Sequence, residues 1–183
     1  LARYTGDKNT DIYEYSLGSG TSLEMPKELT SHSSIETEPV LSPDGKMLAY
    51  VSDRTGAPQI YIMDLNSKKA TRISKEGGYN TSPAWSPDSS MVAYTSQRSG
   101  SRSAIYRVRI DDKLSTQTRV SPENISSESP TWSPDGSMVA FQGWQKGAWK
   151  IFYVLSTGGP AERLTNSSQW MIETGPSWSS RLK

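Results

Sequence analysis

The sequence predicts an all-β chain: a β-propeller of four-stranded antiparallel blades. Three observations carry this. A Ser-Pro-Asp turn, preceded by Pro-x-Trp in two of its three copies, recurs along the chain: EPVLSPDGKMLAY over 38–50, SPAWSPDSSMVAY over 82–94 and SPTWSPDGSMVAF over 129–141. The leading prolines Pro39, Pro83, Pro130 and Pro176 are 44, 47 and 46 residues apart, a period that marks an array of repeats. No stretch holds a 3.6-residue apolar period, and Gly, Pro, Ser, Thr and Asn interrupt the chain every few residues, as short strands require.

Each repeat offers four short strands, A to D. Strand A leads into Ser-Pro-Asp-Gly, where proline presets φ at the second turn position and glycine supplies the positive φ that closes the hairpin. Ser89 stands in the glycine's place in one copy, at a cost of roughly 1 kcal/mol, so that turn is expected to be the weakest of the three. Strand B follows as a consecutive apolar run, Met47–Tyr50, Met91–Tyr94 or Met138–Phe141, which predicts cover on both faces. After a polar loop, strand C opens on an Ile-aromatic pair: Ile12-Tyr13, Ile60-Tyr61, Ile105-Tyr106 and Ile151-Phe152. Strand D is a short segment ending at Thr30, Ser74, Ser121 or Thr165. The aromatic before the turn, Trp85, Trp132 or Trp178, with Leu41 in the first copy, is expected to fill space between stacked blades.

The count is four blades' worth of repeats in one propeller unit over 1–183, with blades at 39–75, 83–121 and 130–165. The fourth is made from both ends: 1–30 supplies B, C and D, and 176–180 supplies A. The C-terminal strand is thus complementary to the N-terminal three, and joining them would remove two unpaired sheet edges.

Composition excludes several functions. There are 20 basic and 19 acidic residues, interspersed, so no nucleic-acid partner is expected. No window is apolar and long enough to span a membrane as a helix. With no cysteine and one histidine, His32, neither thiolate chemistry nor a histidine-based zinc site is expected. No Gly-x-Ser-x-Gly elbow accompanies His32. Asp111-Asp112, or Glu36 with Glu38, lack the spacing of a dedicated calcium loop. The Gly pairs at 77–78 and 158–159 lack the strand–helix context of a phosphate loop. The expectation is a protein that is not an enzyme and holds no cofactor or metal.

Recognition is expected on the links between strand D and the next strand A: SHSSIETE, KEGGYNTS, PENISSES and NSSQWMIETG. Each has Thr or Glu two residues before its proline: Thr37, Thr81, Glu128 and Thr174. Glu36, Tyr79, Asn80, Trp170 and Met171 lie on the same links, and exposed aromatic residues make good anchors for a protein partner.

The blade pattern Pro-x-Trp-Ser-Pro-Asp-Gly, then Ile-Tyr-x-x-Asp, then Arg-hydrophobic-Ser/Thr, resembles the repeat of TolB-type propellers over nearly the whole chain. The second unit, NTSPAWSPDSSMVAYTSQRSG, is especially similar. The resemblance implies a periplasmic protein-binding propeller whose D-to-A face receives a peptidoglycan-associated lipoprotein, with Thr81 and Asn80 the nearest match and Thr37 the next. The family has six blades after an α/β domain, so a C-terminal piece of a longer chain is expected, and the ending PSWSSRLK looks like a family C-terminus; a four-bladed relative is the other possibility. The same blades also occur as accessory, substrate-gating propellers of tricorn-like and prolyl-oligopeptidase-like proteases, which is the alternative function.

Overall fold

The computed structural model describes residues 2–4, 10–15, 25–75, 77–110, 116–168 and 171–179. Among them, strands form four antiparallel sheets, each a meander. The first holds β1 (Ala2–Tyr4), β2 (Thr10–Glu14) and β3 (Lys27–Glu28). The second holds β4 (Glu36–Leu41), β5 (Met47–Ser52), β6 (Gln59–Asp64) and β7 (Ala70–Arg72). The third holds β8 (Tyr79–Trp85), β9 (Met91–Gln97), β10 (Ala104–Arg109) and β11 (Gln117–Arg119). The fourth holds β12 (Ser126–Trp132), β13 (Met138–Gln145), β14 (Ala148–Leu155) and β15 (Glu162–Arg163).

Three apolar layers lie between successive blades. Ile12, Leu48 and Tyr50 share the first, Val51, Ile60 and Trp85 the second, and Ile105, Trp132 and Phe141 the third. Strand B feeds two layers at once. Leu48 and Tyr50 point to the preceding blade and Ala49 and Val51 to the following one, which is why the run is apolar without alternation. The B and C strands also pair their aromatics across the ladder: Tyr50–Tyr61, Tyr94–Tyr106 and Phe141–Phe152, with centroids 5.9, 6.3 and 5.9 Å apart.

The tryptophans do join blades. Each indole Nε1 donates to a carbonyl on strand A of the preceding blade: Trp85 to Val40 at 3.0 Å, Trp132 to Ala84 at 3.0 Å and Trp178 to Thr131 at 3.2 Å. Leu41 has no such partner and is 54% exposed.

The three turns share one bonding scheme. In the third, the Ser133 hydroxyl donates to Asp135 Oδ1 at 2.7 Å and accepts from Met138 N at 2.9 Å, and Ser42 and Ser86 do the same in theirs. Ser89 does adopt positive φ, 61°. It gains a compensation that glycine could not: its hydroxyl accepts the N–H of Asp44 from the neighbouring blade at 3.1 Å.

Strand A starts three or four residues before the proline expected to open it, at Glu36, Tyr79 and Ser126. The proline sits inside the strand at a register shift, between Thr37 and Val40, Thr81 and Ala84, and Glu128 and Thr131. The residue before it takes φ of 52–54° at Glu38, Ser82 and Ser129. A bulge removes the ladder position that proline cannot fill. Gly175, before Pro176, adopts φ 65°, so the last copy keeps the same bend.

The expected pairing of 176–180 with the first blade is not formed among the described residues. There β1 bonds β2 alone, and 176–179 belong to no strand. The segment stays with the fourth blade instead, held by the Trp178 indole on Thr131 and by Gly175 N on Gln142 Oε1 at 3.2 Å.

Candidate functional site

The D-to-A links share one end of the blades with the B–C loops, and strand C anchors them there. Three residues before Pro83, Pro130 and Pro176, the N–H crosses to the carbonyl at the entry to strand C of the preceding blade. Asn80 bonds Pro58 at 2.9 Å, Ser127 bonds Ser103 at 2.9 Å and Glu173 bonds Trp149 at 3.1 Å. Side chains reinforce the tie. Gln59 Oε1 accepts from Asn80 Nδ2 at 2.8 Å, Ser74 Oγ at 2.7 Å and Arg72 Nη2 at 2.8 Å. Lys150 occupies the same column of the last blade and is 2% exposed. Its ammonium donates to Ser167 Oγ at 2.7 Å, Ser168 O at 2.8 Å and Met171 O at 2.5 Å, with Glu173 at 4.0 Å. Three acceptors and a carboxylate match what a buried ammonium needs. The hydroxyls of Ser167 and Thr165 hold the Glu173 carboxyl below the usual carboxylate range.

Sequence reasoning missed Gln59 and Lys150. Their signal was positional, since each directly precedes the Ile that opens strand C.

Strand alternation sorts the predicted residues. Position −3 from the proline points inward, which removes Glu36 and Asn80 from the surface: both are 0% exposed. This corrects their placement as partner-contacting residues. The Glu36 carboxylate pairs with Arg54, whose guanidinium carbon lies 4.5 Å from the Tyr61 ring centroid and whose Nη2 donates to Tyr50 Oη at 2.9 Å. Burial pushes the Tyr50 phenol up to about 12. Position −2 is half-buried in Thr37, Thr81 and Glu128 and exposed in Thr174.

Three predicted residues meet. Tyr79, Thr81 and Glu128 line one cavity of about 140 Å³ between the third and fourth blades, together with Thr95, Gln97 and Ser103. Tyr79 is 51% exposed at its edge. Glu128 is held in place, accepting from Ser103 Oγ at 3.0 Å and Gln142 Nε2 at 3.4 Å. Ser129 N donates to Thr95 Oγ1 at 3.0 Å and ties the two blades at the cavity wall. Thr37, Met171 and Thr174 are not part of this wall, and Trp170 lies outside the described residues.

Hydroxyls, an amide, a carboxylate and an exposed phenol ring suit recognition of a polar surface. His32, the one histidine of the sequence, sits on another link, exposed. Among the described residues no three metal-ligating side chains come together; Glu36 turns inward to Arg54 while Glu38 Oε2 accepts Ser82 N at 2.5 Å. Asp111 and Asp112 lie outside the described residues. No helix among them is long and apolar enough to cross a membrane.

Comparison with known proteins places this architecture. The sequence pattern of the TolB beta propeller domain matches residues 2–182. The Tol-Pal system protein TolB of Desulfosudis oleivorans is 40% identical over 73 residues, which is 40% of this chain and 16% of that protein. The crystal structure of TolB from Acinetobacter baumannii superposes with a TM-score of 0.67 at 29% identity, covering 83% of this chain and 37% of that one. A puromycin-hydrolyzing peptidase of Mycobacterium tuberculosis superposes equally well, TM-score 0.67, over 91% of this chain and 29% of its own, but at 18% identity it shows the fold alone.

Proposed function

The chain belongs to the TolB β-propeller domain family, and from that premise we propose that it is a non-enzymatic, protein-binding propeller of the Tol-Pal system. In this reading it works in the periplasm and receives a peptidoglycan-associated lipoprotein on the face of its D-to-A links. The observation that carries the site is the convergence of Tyr79, Thr81 and Glu128 on one cavity between two rigidly tied blades. Two of them, Tyr79 and Thr81, sit on β8, whose link is pinned through Asn80 to Gln59. Little ordering is then left to the binding event, and a pre-organised surface binds tighter for the same area.

The test is binding of a purified peptidoglycan-associated lipoprotein to the chain and to its Tyr79→Glu/Thr81→Arg variant. Both side chains are at least partly exposed, so the variant is expected to keep its melting temperature. Affinity is expected to fall about tenfold or more, as for loss of an aromatic anchor. Unchanged affinity would remove the site assignment.

A further inference from the structure

Carboxylates one to three residues before the strand-A prolines are answered in different ways. At position −3, Glu36 has the Arg54 guanidinium and Glu173 has the Lys150 ammonium. At position −1, Glu38 accepts the backbone N–H of Ser82 from the next blade. Glu128, at position −2, stands where the other repeats have Thr37, Thr81 and Thr174. Its oxygens accept from two neutral side chains, Ser103 Oγ at 3.0 Å and Gln142 Nε2 at 3.4 Å. Among the described residues no cation pairs with it. It is half-buried, and it is the one charged side chain among the described residues that line the cavity between the third and fourth blades.

The last blade shows how this fold holds a cation. The Lys150 ammonium is bound by one hydroxyl, Ser167 Oγ, and by the carbonyls of Ser168 and Met171, with the Glu173 carboxylate 4.0 Å away. The cavity offers acceptors of the same kinds: the hydroxyls of Thr81, Thr95 and Ser103, the side-chain amide of Gln97 and the Glu128 carboxylate. An ammonium has three donors and no acceptor, so such a set can satisfy it.

Size and charge select the occupant. A cavity of about 140 Å³ is well below the roughly 300 Å³ at which pockets for drug-sized molecules begin, so it suits the end of a side chain. Calcium takes about six to eight oxygens, commonly from several carboxylates, whereas one carboxylate suits a single positive charge. Tyr79, 51% exposed at the edge, gives a ring against which an apolar stem can lie beneath a charged head. We propose that this cavity receives the ammonium of a lysine side chain on the protein partner, with Glu128 as its counter-ion. The proposal rests on the reading of this cavity as the lipoprotein site.

The probe is a purified peptidoglycan-associated lipoprotein, native or with its lysines acetylated, titrated by calorimetry into the chain, Glu128→Gln and Glu28→Gln. Glutamine keeps the shape of Glu128 and removes its charge; Glu28 is an exposed carboxylate on β3 of the first blade. Glu128→Gln should lower the affinity for native lipoprotein about tenfold or more at an unchanged melting temperature, and Glu28→Gln should leave it as it is. Acetylation should weaken binding to the chain and take little further from Glu128→Gln, because both changes remove the same pair. Salt should weaken binding to the chain more steeply than binding to Glu128→Gln, a comparison that needs only native lipoprotein. Unchanged affinity in Glu128→Gln, or a loss there with the salt slope of the chain retained, would overturn the proposal. Losses that add would do the same, since the lysine would then act elsewhere. Binding that responds to Tyr79→Glu/Thr81→Arg but not to Glu128→Gln would contradict this proposal and leave the cavity as the lipoprotein site. No lipoprotein binding at all would remove both.

Discussion

The indole Nε1 of Trp132 donates to the carbonyl of Ala84 at 3.0 Å, across the interface between the third and fourth blades. Trp85 and Trp178 repeat the bond one blade to either side. One residue per repeat therefore supplies both apolar filling and a directional tie. Trp132, 6% exposed, should cost roughly 3–5 kcal/mol when replaced by alanine. Phenylalanine keeps most of the filling and loses the bond, so Trp132→Phe should cost about 1–2 kcal/mol. Urea unfolding of the two variants checks this; equal losses would mean that the bond adds nothing.

The bend before each proline stores backbone strain. Ser129 has φ 54°, a region where a non-glycine residue is disfavoured by roughly 1–2 kcal/mol. Ser129→Gly should raise stability by roughly 0.5 kcal/mol, the relief being partly offset by the chain entropy of glycine. Ser129→Val should lower it by more than about 1 kcal/mol, since β-branched residues tolerate this region worst. Thermal melts of both variants would reveal the opposite signs. Two shifts of the same sign would argue against the bend.

Acid should loosen the turns. The Ser133 hydroxyl, then the N–H and hydroxyl of Ser137, hold Asp135 down at about 2, and Asp44 and Asp88 are lowered in the same way, chiefly by Ser42 and Ser86. A folded value below the unfolded one, about 3.9, means that the contribution is complete above that pH and is lost as pH falls through the folded value. The melting temperature should therefore drop as pH is lowered from about 4 to about 2. Asp44→Asn/Asp88→Asn/Asp135→Asn should melt lower at neutral pH and show a flatter dependence in that window. Parallel slopes would contradict the assignment.

The Glu36–Arg54 pair should behave as a buried ion pair. Arg54→Met would strand a carboxylate that is 0% exposed, at a cost of about 3–5 kcal/mol. Adding Glu36→Gln to it should recover most of that loss. A double variant no more stable than Arg54→Met would mean that Glu36 does not depend on Arg54.

The legible part of this protein was its local chemistry. Ser-Pro-Asp-Gly declares a hairpin because few other residues hold its dihedrals, and the Ile-aromatic pair declares strand C because consecutive apolar residues mark a strand covered on both faces. The start of strand A was less legible. A proline normally opens or ends a strand, and only the bend at Glu38, Ser82 and Ser129 lets the ladder pass through it. Glu36 and Asn80 were placed on the surface because polar links read as exposed. What buries them is Arg54, 18 positions from Glu36, and Gln59, 21 positions from Asn80, contacts that no local pattern encodes. Of the predicted surface, Tyr79, Thr81 and Glu128 held together because position −2 and its neighbour at −4 share a strand face.

Hydrogen–deuterium exchange of the chain with and without a peptidoglycan-associated lipoprotein tests the central claim most directly. The account predicts protection concentrated in 77–81 and 126–129, with the Ser-Pro-Asp turns at 42–45, 86–89 and 133–136 unchanged. Protection confined to those turns, at the opposite end of the blades, would contradict it.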